Sequence, residues 1–399
     1  MGELTYEELK AAVAGDGVAF RAVAELQPAG GSGDKVFPPT YEKGQYALEE
    51  RIIDGQRLKC VLLDSVQSQA NRIELALLEA WRNKQLELPV ISVNFEAAVP
   101  GTGKITSLEA PHRLADAILR DAVQGSTKFG DTEAGKVLAT ARASNATGLF
   151  KWCPTALVLG VWDSTGASGG MGTKFQRAMV SEIVGIDVQT GVKTSSRIDP
   201  LGIRADAGPA YQGKDGDWTH DPASAATMKG KPMKVGTDGR PSEVNHGNIP
   251  PTLGADAGGV TLTKALQYQV LSLPALRRLQ FPVDGRSEPK RDDAGRVALA
   301  ALALCGATLA RAKGLDLRSR CLLVPTSKAT WELISGSGEV RAFDIKPATA
   351  LALLKEAIKA ARDAGLEWQS ETLELVPSAK LAALVKKSRE QDKASPVGD

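Results

Sequence analysis

Residues Thr155–Ile203 read TALVLGVWDSTGASGGMGTKFQRAMVSEIVGIDVQTGVKTSSRIDPLGI, and the fold turns on them. Ala156 to Trp162 is a continuous apolar run between Pro154 and the Asp163, Ser164, Gly166 cluster, which predicts a buried strand. A glycine loop follows. Gly166, Gly169, Gly170 and Gly172 carry no Cβ, so backbone amides can turn inward and a phosphate or sugar can approach them closely. Lys174, Phe175, Gln176 and Arg177 come next and set charge, a stacking ring and an amide side by side. Val180, Val184, Ile186 and Val188 then alternate as a strand, Gln189-Thr190-Gly191 turns, and Val192 to Arg197 is expected to return as the second arm of a hairpin. Asp199-Pro200 stops the ladder.

Nucleotide-enzyme readings of the loop fail on spacing. The phosphate-loop pattern needs G-x-x-x-x-G-K before Ser or Thr, and the closest stretch, Gly101 to Lys104, has Ala98 where the first glycine belongs and Ile105 in place of the hydroxyl. No G-x-G-x-x-G follows a strand. A glycine loop beside a basic and aromatic cluster suits a phosphodiester backbone, and an ordinary mobile surface loop is the competing reading.

Upstream, Leu58 to Leu63 predicts a strand, and Asp64-Ser65 can cap a helix whose Val66, Ala70, Ile73, Leu77 and Trp81 form an inward stripe. Gln67, Ser68, Gln69, Asn71 and Arg72 crowd its first turns outside that stripe, where amides and hydroxyls can meet sugar and phosphate oxygens. Tyr6 to Val13 is expected to be a helix and Ala19 to Leu26 a strand, followed by a glycine-rich loop with Lys35. Val90 to Glu96 reads as a strand. Pro111 suits the first turn of a helix carrying His112, Arg113, Leu114, Ile118 and Ala122. Residues 205–259 shift to Gly, Pro, Asp and Lys, a length of loop that is either functional or disordered. Thr261 to Leu273 is strand or helix, Ala294 to Lys313 a buried helix, Cys321 to Val324 a strand, Pro347 to Ala364 a helix, and Thr372 to Val376 a closing strand.

Composition narrows the function classes. In 399 residues, 49 Lys and Arg nearly cancel 47 Asp and Glu, so nucleic-acid binding has to come from a local stripe. The four cysteines form no C-x-x-C pair and fit free buried thiols in a reducing cytoplasm. Histidine spacing offers no metal site, and neither a secretory signal nor a membrane-spanning run is expected. No cofactor motif stands out.

Several strings occur together in order: LLDSVQSQANRIE (Leu62 to Glu74), HRLADAILRDA (His112 to Ala122), KFQRAMVSEIVG (Lys174 to Gly185), SSRIDPLGI (Ser195 to Ile203) and VNHGNIPP (Val244 to Pro251). Together they resemble the Csb-one type of CRISPR-associated RAMP protein, the Cas-seven-like backbone subunit of type I-G Cascade surveillance complexes, from about Leu26 to Val324. Strands interrupted by helices, with a helix-then-strand finish and no repeated nucleotide-binding βαβ pattern, point to an α+β fold, which a ferredoxin-like or RNA-recognition-motif palm fits, and the resemblance adds two insertions to that palm. Its pieces would be 1–65, 155–204 and 260–399, with a helical finger insertion at 66–154 and a thumb insertion at 205–259. It implies a non-catalytic protein that polymerises head to tail along CRISPR RNA, presents the guide to target DNA, and meets other Cascade subunits. RNA contacts are then expected at Lys35, Lys43, Gln67, Ser68, Gln69, Asn71, Arg72, His112, Arg113, Gly169, Gly170, Lys174, Phe175, Arg177 and Arg197, and thumb contacts at His246, Asn248 and Ile249. The alternative is a metal-dependent endoribonuclease of the type III kind, with Asp34 and Asp163 as the available loop carboxylates. A protein that only assembles with other proteins is the third class.

Overall fold

The computed structural model describes residues 2–163, 174–254 and 258–394, so Gly169 and Gly170 lie outside the described residues. In chain order the elements that frame the site are α1 (Tyr6–Ala14), β1 (Gly17–Pro28), β2 (Leu48–Ile53), β3 (Gln56–Asp64), α2 (Val66–Arg82), α3 (Pro154–Leu159), β4 (Met179–Thr190), β5 (Lys193–Arg197), β6 (Ile249–Gly254), β7 (Val260–Ser272), α4 (Pro289–Ala312), β8 (Leu322–Pro325), β9 (Trp331–Ser335), β10 (Val340–Asp344) and α5 (Pro347–Asp363). This is a mixed α+β fold.

Its main sheet runs in the order Gly2–Glu3, β10, β9, β1, β7, β4, β3, β2. All these neighbours are antiparallel except Gly2–Glu3, which lies parallel to β10. β1 is shared: its first half pairs with β9 and its end with β8, while β7 lines its other edge. Helices cover one face, where Phe20, Ala22, Met179 and Leu271 of the strands join Ile73 and Leu77 of α2 and the buried run Val297–Ala303 of α4 in one core.

α2 forms where its capping signal predicts. The Ser65 hydroxyl accepts the Ser68 amide at 3.2 Å, and Ala70, Ile73 and Leu77 are buried as the stripe requires. It lies close against α4 because Gly306 has no side chain: a Cβ there would stand 2.7 Å from Ile73 Cγ2. Gly306→Ala is therefore expected to lower the denaturation midpoint. Overpacking costs about 1–3 kcal/mol and outweighs a helix-propensity gain of roughly 1 kcal/mol; a raised midpoint would refute the argument.

Several expectations are corrected. The run after Pro154 is the helix α3, with Pro154 in its first turn, and only Val161–Trp162 is extended. All its residues are buried, so no exposed face imposed a period that could separate helix from strand. Gly160, at φ 83, ends it. The second arm of the expected hairpin does not return along β4, whose edges are taken by β3 and β7; β5 pairs with β6 across the long insertion. The described residues of 205–259 include the short hairpins Tyr211–Gln212 with Trp218–Thr219 and Thr227–Met228 with Lys231–Pro232, a helical turn at Pro241–Val244 and the return strand β6.

The segment after Pro111 makes only a single turn at Arg113–Ala115 and the short helix Ala117–Arg120, because Ala122 leaves into a strand. That strand and Ile91–Asn94 flank Leu373–Pro377 in a separate five-stranded sheet, and a further helix, Ala379–Ala394, follows. α4 is long and apolar enough to cross a membrane, contrary to the sequence reading, but it sits inside the fold as a core helix.

Candidate nucleic-acid interface

The site is built around α2. Asp64, the last residue of β3, is buried and turns its carboxylate back under the first turns of the helix. Its Oδ2 accepts from Gln69 Nε2 at 2.6 Å and from Arg72 Nε at 2.9 Å, and its Oδ1 from Arg318 Nη2 at 3.4 Å. Arg72 also donates to the carbonyls of Asp316 and Leu317 at 3.2 and 2.5 Å. The buried Gln69 oxygen accepts from the Ser181 hydroxyl at 2.7 Å and from Gln267 Nε2 at 2.9 Å. One carboxylate thus organises strands β3, β4 and β7, helix α2 and the segment before β8.

One turn further along α2 stands Glu74, whose two oxygens accept from Arg113 Nε and Nη2 at 2.7 and 2.8 Å. Both side chains are buried, at 1% and 4% exposure. Arg113 Nη1 donates to the Gly160 carbonyl at 3.0 Å. Burial pushes the Glu74 carboxyl up to about 7, against the opposing pull of Arg113. Gly160 is the root of the glycine loop, and a Cβ on it would crowd Arg177 and the Phe175 carbonyl.

The stem of that loop is a two-residue ladder, Trp162 against Lys174 and Val161 against Phe175. Trp162 is exposed, and the Lys174 ammonium lies 5.5 Å from its ring centre. Desolvation and then the neighbouring Arg113 charge hold the Arg177 guanidinium below its ordinary value. Arg320 and Phe37 form a second basic and aromatic pair, the guanidinium 4.2 Å from the ring centre. Phe37 N donates to the Arg320 carbonyl, and Lys35 Nζ reaches the Val192 carbonyl at 3.4 Å. Among the described residues no carboxylate pairs with Lys174, Arg177 or Arg320.

The sequence-predicted residues therefore separate. Gln67, Lys43, His112, Lys174 and Arg177 are exposed, and Ser68, Asn71 and Lys35 are half-buried. Gln69, Arg113 and Phe175 are inside the protein, which corrects the expectation that they face a ligand; they hold other groups in place. Arg72 is corrected in the same sense, since its guanidinium is spent on Asp64 and two carbonyls. Arg197 lies 3.9 Å from Asp199 at the end of β5. Asn248 Oδ1 accepts the Asp199 amide at 2.7 Å, His246 packs edge-on to Trp218, and Ile249 opens β6. Trp162 and Arg320 were missed, although an aromatic residue abutting the glycine loop was a visible signal. Asp34 is exposed, and among the described residues no group of three His, Cys, Asp or Glu could hold a metal ion.

Residues 20–190 match the model of a family described as CRISPR-associated protein GSU0053. The similarity covers less than half of the chain. It spans α2, Arg113 and the loop stem and stops before β5. No curated protein matches the chain.

Proposed function

We propose that this chain is a non-catalytic Cas-seven-like backbone subunit of a type I-G Cascade complex, working in the cytoplasm. It lies in head-to-tail rows along CRISPR RNA and presents the guide for pairing with target DNA beside the other subunits. In this reading the main sheet and its helices are the RNA-recognition-motif palm, and the β5–β6 ribbon with its insertion is the thumb. The observation that carries it is the bonded chain through α2. Arg72 and Asp64 tie the helix to the segment leading into Arg320, and Glu74 ties it through Arg113 to the root of the loop stem. Two clusters of cations that meet no carboxylate among the described residues, each beside an aromatic face, are thereby fixed to one rigid element, which suits a strand bound by phosphate neutralisation and stacking.

The test is anisotropy of labelled single-stranded RNA across a salt series, with and without magnesium. Affinity is expected to fall with salt and to depend little on sequence, with the RNA left uncut. Replacing Lys174 and Arg177 together by alanine should reduce the slope of log affinity against log salt by about 1.4, roughly 0.7 per phosphate contact. An unchanged slope and affinity would refute the site, and magnesium-dependent cleavage would favour the endoribonuclease.

A further inference from the structure

A groove of about 630 Å³ opens between α5 and the residues that follow α2. Helices packed to ordinary density leave no such space. It exists because the chain turns away at the end of α2. The Lys84 and Gln85 amides donate to the Trp81 and Ala80 carbonyls, both at 2.9 Å, and Lys84 adopts φ 56, where glycine is the favoured residue. Gln85, Leu86 and Glu87 thereby become the wall facing α5, and a lysine stands at the rim where backbone geometry alone would prefer glycine.

Along α5 the lining residues are Leu351, Leu354, Lys355, Ile358, Lys359 and Arg362, the i, i+3, i+4, i+7, i+8 and i+11 places of one helix face. That row runs about three turns, roughly 16 Å at 1.5 Å per residue. Its three apolar members make the floor with Trp81 and Leu86; Leu354 and Ile358 are buried and the others half-buried. Charge lies at the rim, where four cations face two carboxylates. Lys359 bonds Asp363 at 2.7 Å and Arg362 bonds Glu87 at 2.8 Å. Lys84 and Lys355 meet no carboxylate among the described residues.

A small molecule is oriented by a few convergent polar groups inside its pocket, whereas every charged, amide or hydroxyl side chain lining this groove is exposed. A phosphodiester strand would leave the aliphatic floor in water and meet the two carboxylates. A helix lays its own i, i+3, i+4 and i+7 side chains into a straight apolar groove, and the spare positive charge of the rim complements acidic flanks.

We infer that the groove between α5 and the end of α2 receives an acidic amphipathic helix of another protein. The inference does not depend on the RNA reading, since it uses none of the residues assigned to the strand.

The probe is a fluorescein-labelled peptide of leucine and glutamate, stapled as a helix with its leucines on one face. Its controls are the leucine and lysine counterpart and a peptide of the same composition with the leucines scattered. Anisotropy on the whole chain should show the acidic amphipathic peptide binding about tenfold or more tightly than either control. Lys84→Glu with Lys355→Glu should weaken that binding by about tenfold or more, and by less at high salt. Both lysines are exposed, so the melting temperature is expected to stay near the parent's. Leu351→Gln keeps the charge and spoils the floor, and should weaken binding several-fold with its salt dependence unchanged. Equal binding of the scattered peptide, or binding indifferent to the lysine pair, would overturn the inference. So would a concentration-dependent dimer that the lysine pair disperses, which gives the groove to a second copy. RNA affinity lost in the lysine pair, with no peptide bound by the parent, would overturn it in favour of a strand.

Discussion

Above pH 7, where Glu74 is ionised, Arg113→Ala is expected to destabilise the protein by about 3–5 kcal/mol, the usual cost of stripping one partner from a buried ion pair. Glu74 would keep its burial and lose both bonds, and the Gly160 carbonyl would lose its donor. Arg113→Met with Glu74→Leu should recover much of the loss, since neither charge then stays behind. Urea midpoints of the three proteins decide it, and a midpoint for Arg113→Ala near the parent's would refute the latch. pH gives an independent reading. The folded protein keeps the Glu74 proton up to about pH 7, whereas the unfolded chain releases it near the ordinary 4.5. The stabilisation tied to that proton is full below 4.5, declines as pH rises to 7, and is gone above it. Glu74→Gln has no such decline, so the parent's stability relative to this variant should fall across that window.

Asp64→Ala is the second large effect, again about 3–5 kcal/mol, because Arg72 and Arg318 would be left half-buried without their shared anion. Gln69 would lose the acceptor that orients its amide, and its bonds to Ser181 and Gln267 depend on that orientation. Asp64→Asn should cost less, since one oxygen still accepts. Midpoints separate the two predictions from the site itself: Lys174 and Arg177 variants should keep the parent's midpoint, while Asp64→Ala should lower it. Equal midpoints for Asp64→Ala and the parent would show that the hub is a solvated face.

Periodicity made α2, α5 and β1 legible, because each has a polar side facing water that imposes a repeat on its apolar side. The run at α3 has no such side and was misread for that reason. The partner of β5 was hidden because it begins 52 residues after β5 ends, from Arg197 to Ile249, and the adjacent edge it would have used is occupied. Polar residues were the harder case. Gln69 and Arg72 share the first turns of α2 with Gln67 and Asn71, and composition cannot say which of them finds a buried carboxylate. Arg113 looked like a surface cation at a helix start, and only a glutamate 39 residues earlier reveals it as an internal strut.

The order of strands also bears on how the chain acquires its shape. β1 ends at Pro28, yet its partners β7 and β9 begin only at Val260 and Trp331. Such long-range pairing is slow, since the loop between the partners must close before any bond rewards it. A nascent chain would therefore display both edges of β1 unpaired until those partners are made, an invitation to aggregation. Recovery of native protein after dilution from denaturant should fall steeply with protein concentration, and synthesis at lower temperature should raise the soluble yield.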